Sequence, residues 1–450
     1  MRKFDILVVG AGTGGSIAAK TASKMGFKVC VIDQKPNQEI GDKVCGDAIG
    51  KHHFDNLGIS PPMNEELANL VKGIDILSPD MKTVFRAAGE GLHGFMVNRL
   101  ELGQRLLSET IDSGVELLDN TCVLKPIVEN GFVKGVKAKN VVRDESVELS
   151  GNVVIDASGM VGVIRKQVPL EWRFEREILN EDLEICYQEI REVSSIEHNE
   201  YLQIYLDQEV APGGYCWIFP KGENMVNVGL GVQMKKGFLN PREQFYKHLL
   251  SKPLLNNSKK IKGGGGIVST RRPINCMVGN GVLFIGDAAC QPNPIHGGGI
   301  GPSMLAGHLA AKAACEAIEK NDVSQNGMWK YNSEYMAQYG AKTAGLDVFR
   351  IFLQKCSNID LNYGMSNRLI MEDDILKASL GEDLKLNITD KARRAFRGIR
   401  RLSFLRALNL TAHKMREIKE LYIHFPNPEG HAQWSTGVES IINEMKGMNI

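Results

Sequence analysis

Two loops place reactive side chains among glycines and turn residues, and they are the first candidates for a reaction centre. Cys45 lies in the segment KVCGDA at 43–48, which has no hydrophobic period and therefore indicates a loop. His296 lies in NPIHGGGI at 293–300, held between prolines and glycines, where a core histidine is not expected. A thiol or an imidazole in such a loop is a candidate catalytic group. For His296 the alternative is a structural hydrogen-bonding role.

The N-terminal segment 4–33, FDILVVGAGTGGSIAAKTASKMGFKVCVID, predicts a strand, a tight turn, a helix and a second strand. Gly10 allows the turn, Gly12 allows the backbone to approach a pyrophosphate, and Gly15 allows close helix packing. The first helical N–H groups then face the phosphates, and Asp33 is placed to hold a ribose hydroxyl. The pattern predicts dinucleotide binding, and the alternative is a structural glycine-rich turn.

Three later segments supply elements around this unit. The pattern at 95–114 predicts an amphipathic helix with Arg99 at its entry, either pairing with phosphate or solvated at the surface. The segments 153–156 and 281–285 predict further buried strands, each followed by a turn. The glycines at 297–301 open a small-residue helix, whose free N–H groups would stabilise an anion or a negatively charged ring edge.

Between these segments the chain changes character. Residues 166–275 contain short β-rich runs and predict a mostly antiparallel inserted sheet, whereas 54–77 predicts a surface helix and connection. Alternation in the run YCWIFP at 215–220 puts three aromatics on one strand face, followed by GLG at 229–231. They form either a flat apolar wall for a ligand or an ordinary aromatic sheet core. Beyond about residue 300 the pattern is mostly helical.

Composition excludes several classes of protein. A net charge of +1 over 450 residues implies no nucleic acid or other polyanion as partner. No apolar run is long enough for a transmembrane helix, and the N-terminus enters the first strand directly, which predicts a cytoplasmic protein. Nine scattered cysteines without CxxC spacing predict no metal or iron–sulfur site. The basic segment 391–419 either contacts an anionic membrane surface or packs its apolar side on the protein.

Taken together, these motifs carry a family resemblance. The glycines of the first turn, Asp33, Arg99 and the later IGDA at 285–288 resemble the FAD-dependent family that includes aromatic hydroxylases. KVCGDA, the YxWxFP strand with its downstream GxG, and NPxHGGGI resemble the geranylgeranyl reductases more narrowly. Their order is most similar to that of archaeal enzymes that saturate digeranylgeranylglycerol phospholipid precursors. The resemblance is clear over residues 1–365.

The resemblance implies roles for named residues. FAD contacts are implied at Gly10, Gly12, Gly14, Gly15, Asp33, Gln34, Cys45, Gly46, Ala48, Arg99, Val123, Asp287, Gly299 and Ile300. A prenyl channel is implied along Tyr215, Trp217, Phe219, Gly229 and Gly231. Cys45 and His296 would flank the isoalloxazine near a proton path, although Cys45 could contact FAD through its backbone alone. No metal is implied.

The resulting expectation is an α/β protein, α+β overall, with a Rossmann-type FAD-binding domain, an inserted antiparallel-sheet domain and a C-terminal helical region. The predicted boundaries are 1–165 with 270–320, then 166–269, then 321–450. The expected substrate is a geranylgeranyl lipid approached by peripheral contact at the inner face of the membrane, and the electron donor is NADPH, ferredoxin or a similar carrier. The rival hypotheses are a flavin monooxygenase of an aromatic or polyene, an electron-transfer flavoprotein, and a non-enzymatic flavin-binding module at a membrane.

Overall fold

The computed structural model describes residues 2–169, 172, 174–235, 237–369 and 402–450. Its strands are β1 (Arg2–Val9), β2 (Val29–Ile32), β3 (Ala48–Gly50), β4 (Leu67–Val71), β5 (Gly73–Leu77), β6 (Val84–Ala88), β7 (Gly94–Val97), β8 (Glu116–Leu118), β9 (Thr121–Glu129), β10 (Phe132–Asn140), β11 (Glu145–Asp156), β12 (Leu183–Glu192), β13 (Tyr201–Tyr205), β14 (Cys216–Pro220), β15 (Met225–Gln233), β16 (Lys259–Ser269), β17 (Val278–Gly279) and β18 (Val282–Phe284). Its helices are α1 (Thr13–Lys24), α2 (His52–Asp55), α3 (Arg99–Asp112), α4 (Pro241–Gln244), α5 (Ile300–Glu319), α6 (Lys330–Tyr335), α7 (Ala341–Leu353), α8 (Asn358–Ser366), α9 (Leu402–Ile423) and α10 (His431–Gly447).

A parallel sheet forms the centre of the fold. Its strands run in the order β18-β11-β1-β2-β8, with β17 antiparallel at one edge and the β9–β10 hairpin attached to β11. The apolar run Ile6–Val9 and all of β2 are buried or nearly so, as expected for parallel strands covered on both faces. The strand, turn, helix and strand predicted for residues 4–33 are therefore confirmed as β1, α1 and β2.

A second sheet has the order β16-β12-β15-β14-β13-β5-β6. Its neighbours are antiparallel except for β13 and β5, which pair in parallel from Tyr201 with Gly73 to Tyr205 with Leu77. The strands expected within 166–275 are present, but the sheet also takes β5 and β6 from outside that segment. The surface helix and connection predicted for 54–77 was wrong, because pairing with β13 and β6 makes a strand of 73–77, despite its weak alternation.

The helices after residue 320 share one apolar core with the parallel sheet. Phe404, Met415 and Ile418 of α9 are buried in this core, and the rings of Phe404 and Phe352 lie 5.5 Å apart. The apolar side of the basic segment is therefore packed on the protein over 402–419, and 391–401 lie outside the described residues. Among the helices that the structure describes, none has the length and hydropathy needed to cross a bilayer.

Candidate active site

The glycines of the first turn fit a pyrophosphate. A Cβ at Gly15 would lie 1.9 Å from the carbonyl oxygen of Gly10, and one at Gly14 would lie 2.8 Å from the carbonyl oxygen of Ser303, so both positions require glycine. Gly12, in contrast, has no atom of the described residues within 4 Å of where its Cβ would be, and this leaves open space at the start of α1. No described side chain caps α1, so its first N–H groups are available to an anion.

Asp33 closes the same edge of the parallel sheet. Its carboxylate accepts hydrogen bonds from the backbone N–H of Ala11 at 2.8 Å and of Lys35 at 2.9 Å, which ties the end of β2 to the glycine turn. Gln34 is exposed beside it. Val123 lies in β9, whose first residue, Thr121, donates its N–H to the carbonyl of Asp33. The structure thus brings Asp33, Gln34 and Val123 to one edge.

The buried side chain of Arg99 is suited to bind an anionic cofactor. It is the first residue of α3 and is only 9% exposed. Its Nε and Nη1 atoms are buried and have no hydrogen-bond partner in the part of the chain that the structure describes. A buried guanidinium without a partner is costly, and a phosphate or carboxylate group would satisfy it. These donors, together with the space at Gly12, fit FAD.

The N-terminus of α5 and the cysteine loop meet at Asp287. Lys43 donates to the carboxylate of Asp287 at 2.7 Å, which links the loop at 43–48 to the turn that follows β18. A Cβ at Gly299 would lie 3.4 Å from the other Asp287 oxygen. Within the described part of the chain, no side chain caps α5, which begins at Ile300, so its first N–H groups can bind an anion. The structure therefore brings Asp287, Gly299 and Ile300 together, and their contact with FAD stays a prediction.

Buried hydrogen bonds fix the loop that carries Cys45 against the second sheet. The side-chain amide of Asn227 in β15 donates to the carbonyl of Cys45 at 2.7 Å and to the carboxylate of Asp47 at 3.0 Å. Lys221 donates to the same carboxylate at 2.8 Å and forms an ion pair with it. Asp47 has a φ of +64°, a left-handed conformation that these contacts hold in place.

The rest of the loop continues these contacts. A Cβ at Gly46 would lie 3.4 Å from the ring of Phe219, so the loop backbone packs directly on the aromatic strand. Ala48 begins β3 and pairs with Met96 of β7. The loop therefore lies between the second sheet and a third sheet of order β3-β7-β4, with Lys43 and Val44 exposed and Cys45 half-buried.

The two candidate catalytic side chains differ in what they can do with a proton. Burial raises the pKa of the Cys45 thiol, although the positive charge of Arg99 opposes this, so Cys45 is a thiol at neutral pH. The ring of His296 retains solvent contact, yet the surrounding protein and the charge of Lys342 lower its pKa to about 4. Its Nδ1 accepts a hydrogen bond from the N–H of Gly298 at 3.1 Å. His296 is therefore neutral at pH 7 and carries no imidazolium proton to donate.

The aromatic strand forms one continuous surface. Ring centroids lie 5.9 Å apart for Tyr215 and Trp217 and 6.1 Å apart for Trp217 and Phe219, which confirms that alternation puts them on one face. The Trp217 and Phe219 end is covered by β4 and β7, whereas Tyr215 lies at the less covered end. The hydroxyl of Tyr215 donates to the carbonyl of His296 at 2.8 Å, which joins this strand to the histidine loop.

Gly229 and Gly231, downstream of the aromatic strand, are required to be glycine for different steric reasons. A Cβ at Gly229 would lie 2.5 Å from the Trp217 ring, and a Cβ at Gly231 would lie 2.9 Å from a carboxylate oxygen of Glu184. Gly229 therefore makes room for the indole, which in turn donates from Nε1 to Asn227 at 3.0 Å. Gly231 makes room for an acidic side chain that the motif itself does not contain.

Asn227, Lys221 and Glu184 were not predicted from the sequence. Asn227 interrupts a mostly apolar buried strand, and a polar residue at such a position is the signal that could have identified it. Glu184 lies in β12, where Gln188, Glu189 and Arg191 are also buried, so sequence pattern does not single it out. Cys290 lies at the end of the turn that follows β18 and is completely buried, so it packs in the apolar core.

Comparison with known proteins decides the family. A family model described as the geranylgeranyl reductase catalytic domain matches residues 182–268, and one described as FAD dependent oxidoreductase matches residues 5–217. The digeranylgeranylglycerophospholipid reductase of Sulfolobus acidocaldarius is 44% identical over 446 residues, covering 98% of each chain. The chain belongs to the digeranylgeranylglycerophospholipid reductase family. It is an FAD-dependent oxidoreductase of the geranylgeranyl reductase type, so the predicted family, cofactor and enzyme class are confirmed.

Other members and neighbours of the family agree. The digeranylgeranylglycerophospholipid reductase of Methanothrix thermoacetophila is 31% identical over 86% of this chain and 96% of its own. A geranylgeranyl bacteriochlorophyll reductase-like crystal structure from Thermoplasma acidophilum has a TM-score of 0.77 at 28% identity, covering 84% of this chain and 95% of that one. A flavin-dependent brominase has a TM-score of 0.66 at 18% identity over 88% of this chain and 100% of its own, which shows a shared fold alone. The predicted fold class is confirmed.

Proposed function

We propose that the chain saturates C=C bonds in the geranylgeranyl chains of archaeal glycerophospholipid precursors. The observation that carries this proposal is the Asn227 contact, which fixes the Cys45 loop against the strand bearing Trp217. A loop expected at a flavin is thereby held beside the aromatic strand, whose less covered Tyr215 end is the part open to a prenyl chain. Membership of the reductase family supports the choice of substrate.

The cofactor would be held at one end by the glycine turn and Asp33, and further along by Arg99, Asp287 and the N-terminus of α5. When bound and reduced, FAD supplies hydride. The predicted contacts at Gln34, Val123, Gly46 and Ala48 line the same path and are part of this proposal.

The protein must supply what an isolated alkene lacks. A trisubstituted alkene has no carbonyl to accept charge, so its saturation also needs a proton on the second carbon and exclusion of water from any cationic character. The half-buried Cys45, the buried contacts of Asp47, and the rings of Trp217 and Phe219 would provide that dry environment. Of the two predicted catalytic residues, Cys45 still carries a proton at neutral pH, whereas neutral His296 orients the loop through its contacts with Gly298 and Tyr215.

The aromatic surface would set which double bonds reach the reaction centre. Trp217→Ala is expected to change the distribution of partly saturated products, because removing the indole leaves a cavity beside the prenyl chain. A matched product distribution for wild type and Trp217→Ala would argue against this role. Phe219→Ala serves as the comparison variant, because the Phe219 ring packs against the Cys45 loop at Gly46 and its removal leaves the indole of Trp217 in place.

The deciding experiment is anaerobic turnover with chemically reduced flavin, followed by mass spectrometry of the lipid. A reductase adds two hydrogens per double bond without oxygen. A monooxygenase would instead give an oxygen-dependent product of increased oxygen content, and that result would overturn the proposal.

The electron donor and the place of action are further parts of the proposal. NADPH, ferredoxin or a similar carrier would reduce the flavin in a transient encounter, and stopped-flow absorbance with each donor in turn would identify it. Because the substrate is a lipid, we expect peripheral contact with the inner face of the membrane. Co-sedimentation with anionic and neutral liposomes tests that contact, and no binding to either would contradict it.

A further inference from the structure

A buried acid lies on the same face as the aromatic strand. β12 alternates so that Glu184, Cys186 and Gln188 share one face, and Cys186 packs in the cluster that contains Trp217 and Phe219. Glu184 is only 7% exposed. The acid thus lies beside the aromatic surface and close to its Tyr215 end.

Two glycine positions shape the space around this carboxyl group. A Cβ at Gly231 would lie 2.9 Å from Oε2 of Glu184 and 3.1 Å from the sulfur of Cys186. A Cβ at Gly214, immediately before Tyr215, would lie 3.3 Å from the same oxygen, and Gly229 makes room for the neighbouring indole. The backbone is therefore shaped so that the acid can lie flat against the strands that carry the aromatic residues.

The carboxyl group has no charge partner. Within the described residues, Glu184 forms no hydrogen bond or ion pair, although a buried carboxylate normally requires one. Arg350 is the nearby cation, but its guanidinium is hydrogen-bonded to Asp347 at Nε and to Asp182 at Nη2. Apart from its small residual exposure, protonation is the remaining way to stabilise an acid without a partner.

The acids around this position differ in how readily they release a proton. Burial raises the pKa of Glu184 to about 8, with the charge of Arg350 acting against the increase. Burial raises the pKa of Tyr215 and of Cys186 well above their ordinary values, and the carboxyl of Glu184 adds to both increases. Glu184 is thus protonated at neutral pH and is a stronger acid than either neighbour, which suits general acid catalysis.

We propose that Glu184 is the proton donor for saturation of the prenyl double bond, an inference that rests on the function proposed above. The O–H bond of the carboxylic acid breaks, and the π electron pair of the alkene forms a new C–H bond with that proton. The electron-deficient carbon receives hydride supplied by the reduced flavin, so the alkene gains two hydrogens and two electrons. The carboxylate that remains is reprotonated from water before the next turnover.

The test compares Glu184→Gln with Glu192→Gln, a control at the exposed end of the same strand. Glu184→Gln is expected to lower kcat for anaerobic alkene reduction by on the order of 10²-fold or more, with FAD content and the rate of flavin reduction unchanged. Wild-type kcat should fall as the pH rises through about 8, the pKa of Glu184, and this alkaline limb should be absent from Glu184→Gln. Glu192→Gln should behave as wild type.

A spectroscopic measurement separates a chemical role from a structural one. The wild-type protein at pH 7 should show the infrared C=O stretch of a protonated carboxylic acid, and this band should be lost in Glu184→Gln and retained in Glu192→Gln. Should Glu184→Gln not fold, Glu184→Asp provides the same tests with a shorter acid and should keep the alkaline limb. Full turnover in Glu184→Gln with an active wild type overturns this inference alone, whereas a wild type that forms no saturated lipid overturns the proposed function.

Discussion

The contact between Asn227 and the Cys45 loop leads to a quantitative prediction. Asn227→Ala removes both donors to the loop and the acceptor of the Trp217 indole N–H. The carbonyl of Cys45 then has no amide donor, and the carboxylate of Asp47 keeps only the hydrogen bond from Lys221. Each buried polar group that loses its partner costs about 1–3 kcal/mol.

Because two of the lost hydrogen bonds hold the loop, the free energy needed to open it should fall by about 3 kcal/mol. A change of about 1.4 kcal/mol corresponds to a tenfold change in equilibrium constant, so the open population should rise by about 10²-fold. If labelling occurs from the open loop, the rate of Cys45 alkylation should increase by the same factor.

Alkylation by iodoacetamide, resolved by peptide mass spectrometry, reports on Cys45 alone. Rates measured over a range of pH separate loop opening from any change in the thiol pKa. Asn326→Ala is the matched control, because Asn326 is exposed and its side chain forms no hydrogen bond among the described residues. If Asn227→Ala labels Cys45 at the wild-type rate, the hydrogen bonds do not hold the loop and the reasoning is refuted.

Three further perturbations follow from the site. Arg99→Met should weaken FAD binding about 10- to 100-fold, since a hydrogen bond to a charged group contributes about 1.5–3 kcal/mol; flavin fluorescence titration measures this, and an unchanged Kd would contradict it. Gly12→Ala should fold as wild type, because its Cβ enters only open space, but it should bind FAD poorly, because that space is where the pyrophosphate is expected. Gly15→Ala should lower the Tm, because its Cβ would lie 1.9 Å from a carbonyl oxygen. Equal Tm values for the two variants would contradict this steric argument. Burial lowers the pKa of His53 from 6.5 to about 3, so below pH 6.5 the unfolded chain binds a proton that the folded chain does not, and stability falls as the pH decreases towards 3. His53→Gln should lose less stability over that interval, as judged by urea midpoints at each pH.

Local sequence patterns predicted the positions of those candidate site residues that depend only on their neighbours along the chain. The glycine turn, Asp33 and Arg99 each belong to a strand or helix terminus, where steric limits and backbone hydrogen bonding leave few options. The aromatic face of 215–220 follows from the two-residue period of a strand. The positions of these residues were therefore predictable from spacing alone.

Other features depend on contacts between distant parts of the chain. Asn227 contacts a loop 182 residues earlier, and no spacing within 225–233 indicates that partner. The strand at 73–77 exists because it pairs with 201–205, and its own residues alternate too weakly to predict it. The lowered pKa of His296 depends on the surrounding protein and on the charge of Lys342, neither of which is visible in the motif around it.

The parallel pairing of β13 with β5 limits which fragments of this enzyme can be expressed alone and which segments a chimera must include. A gene fragment covering 166–269 would encode most of the second sheet but would leave β13 with an unpaired edge, which favours aggregation. A chimera that exchanges substrate specificity with a relative must therefore carry the hairpin at 73–88 together with that fragment. During synthesis the hairpin at 73–88 is made more than a hundred residues before its partner strand, so it cannot complete its pairing until residues 201–205 have been synthesised.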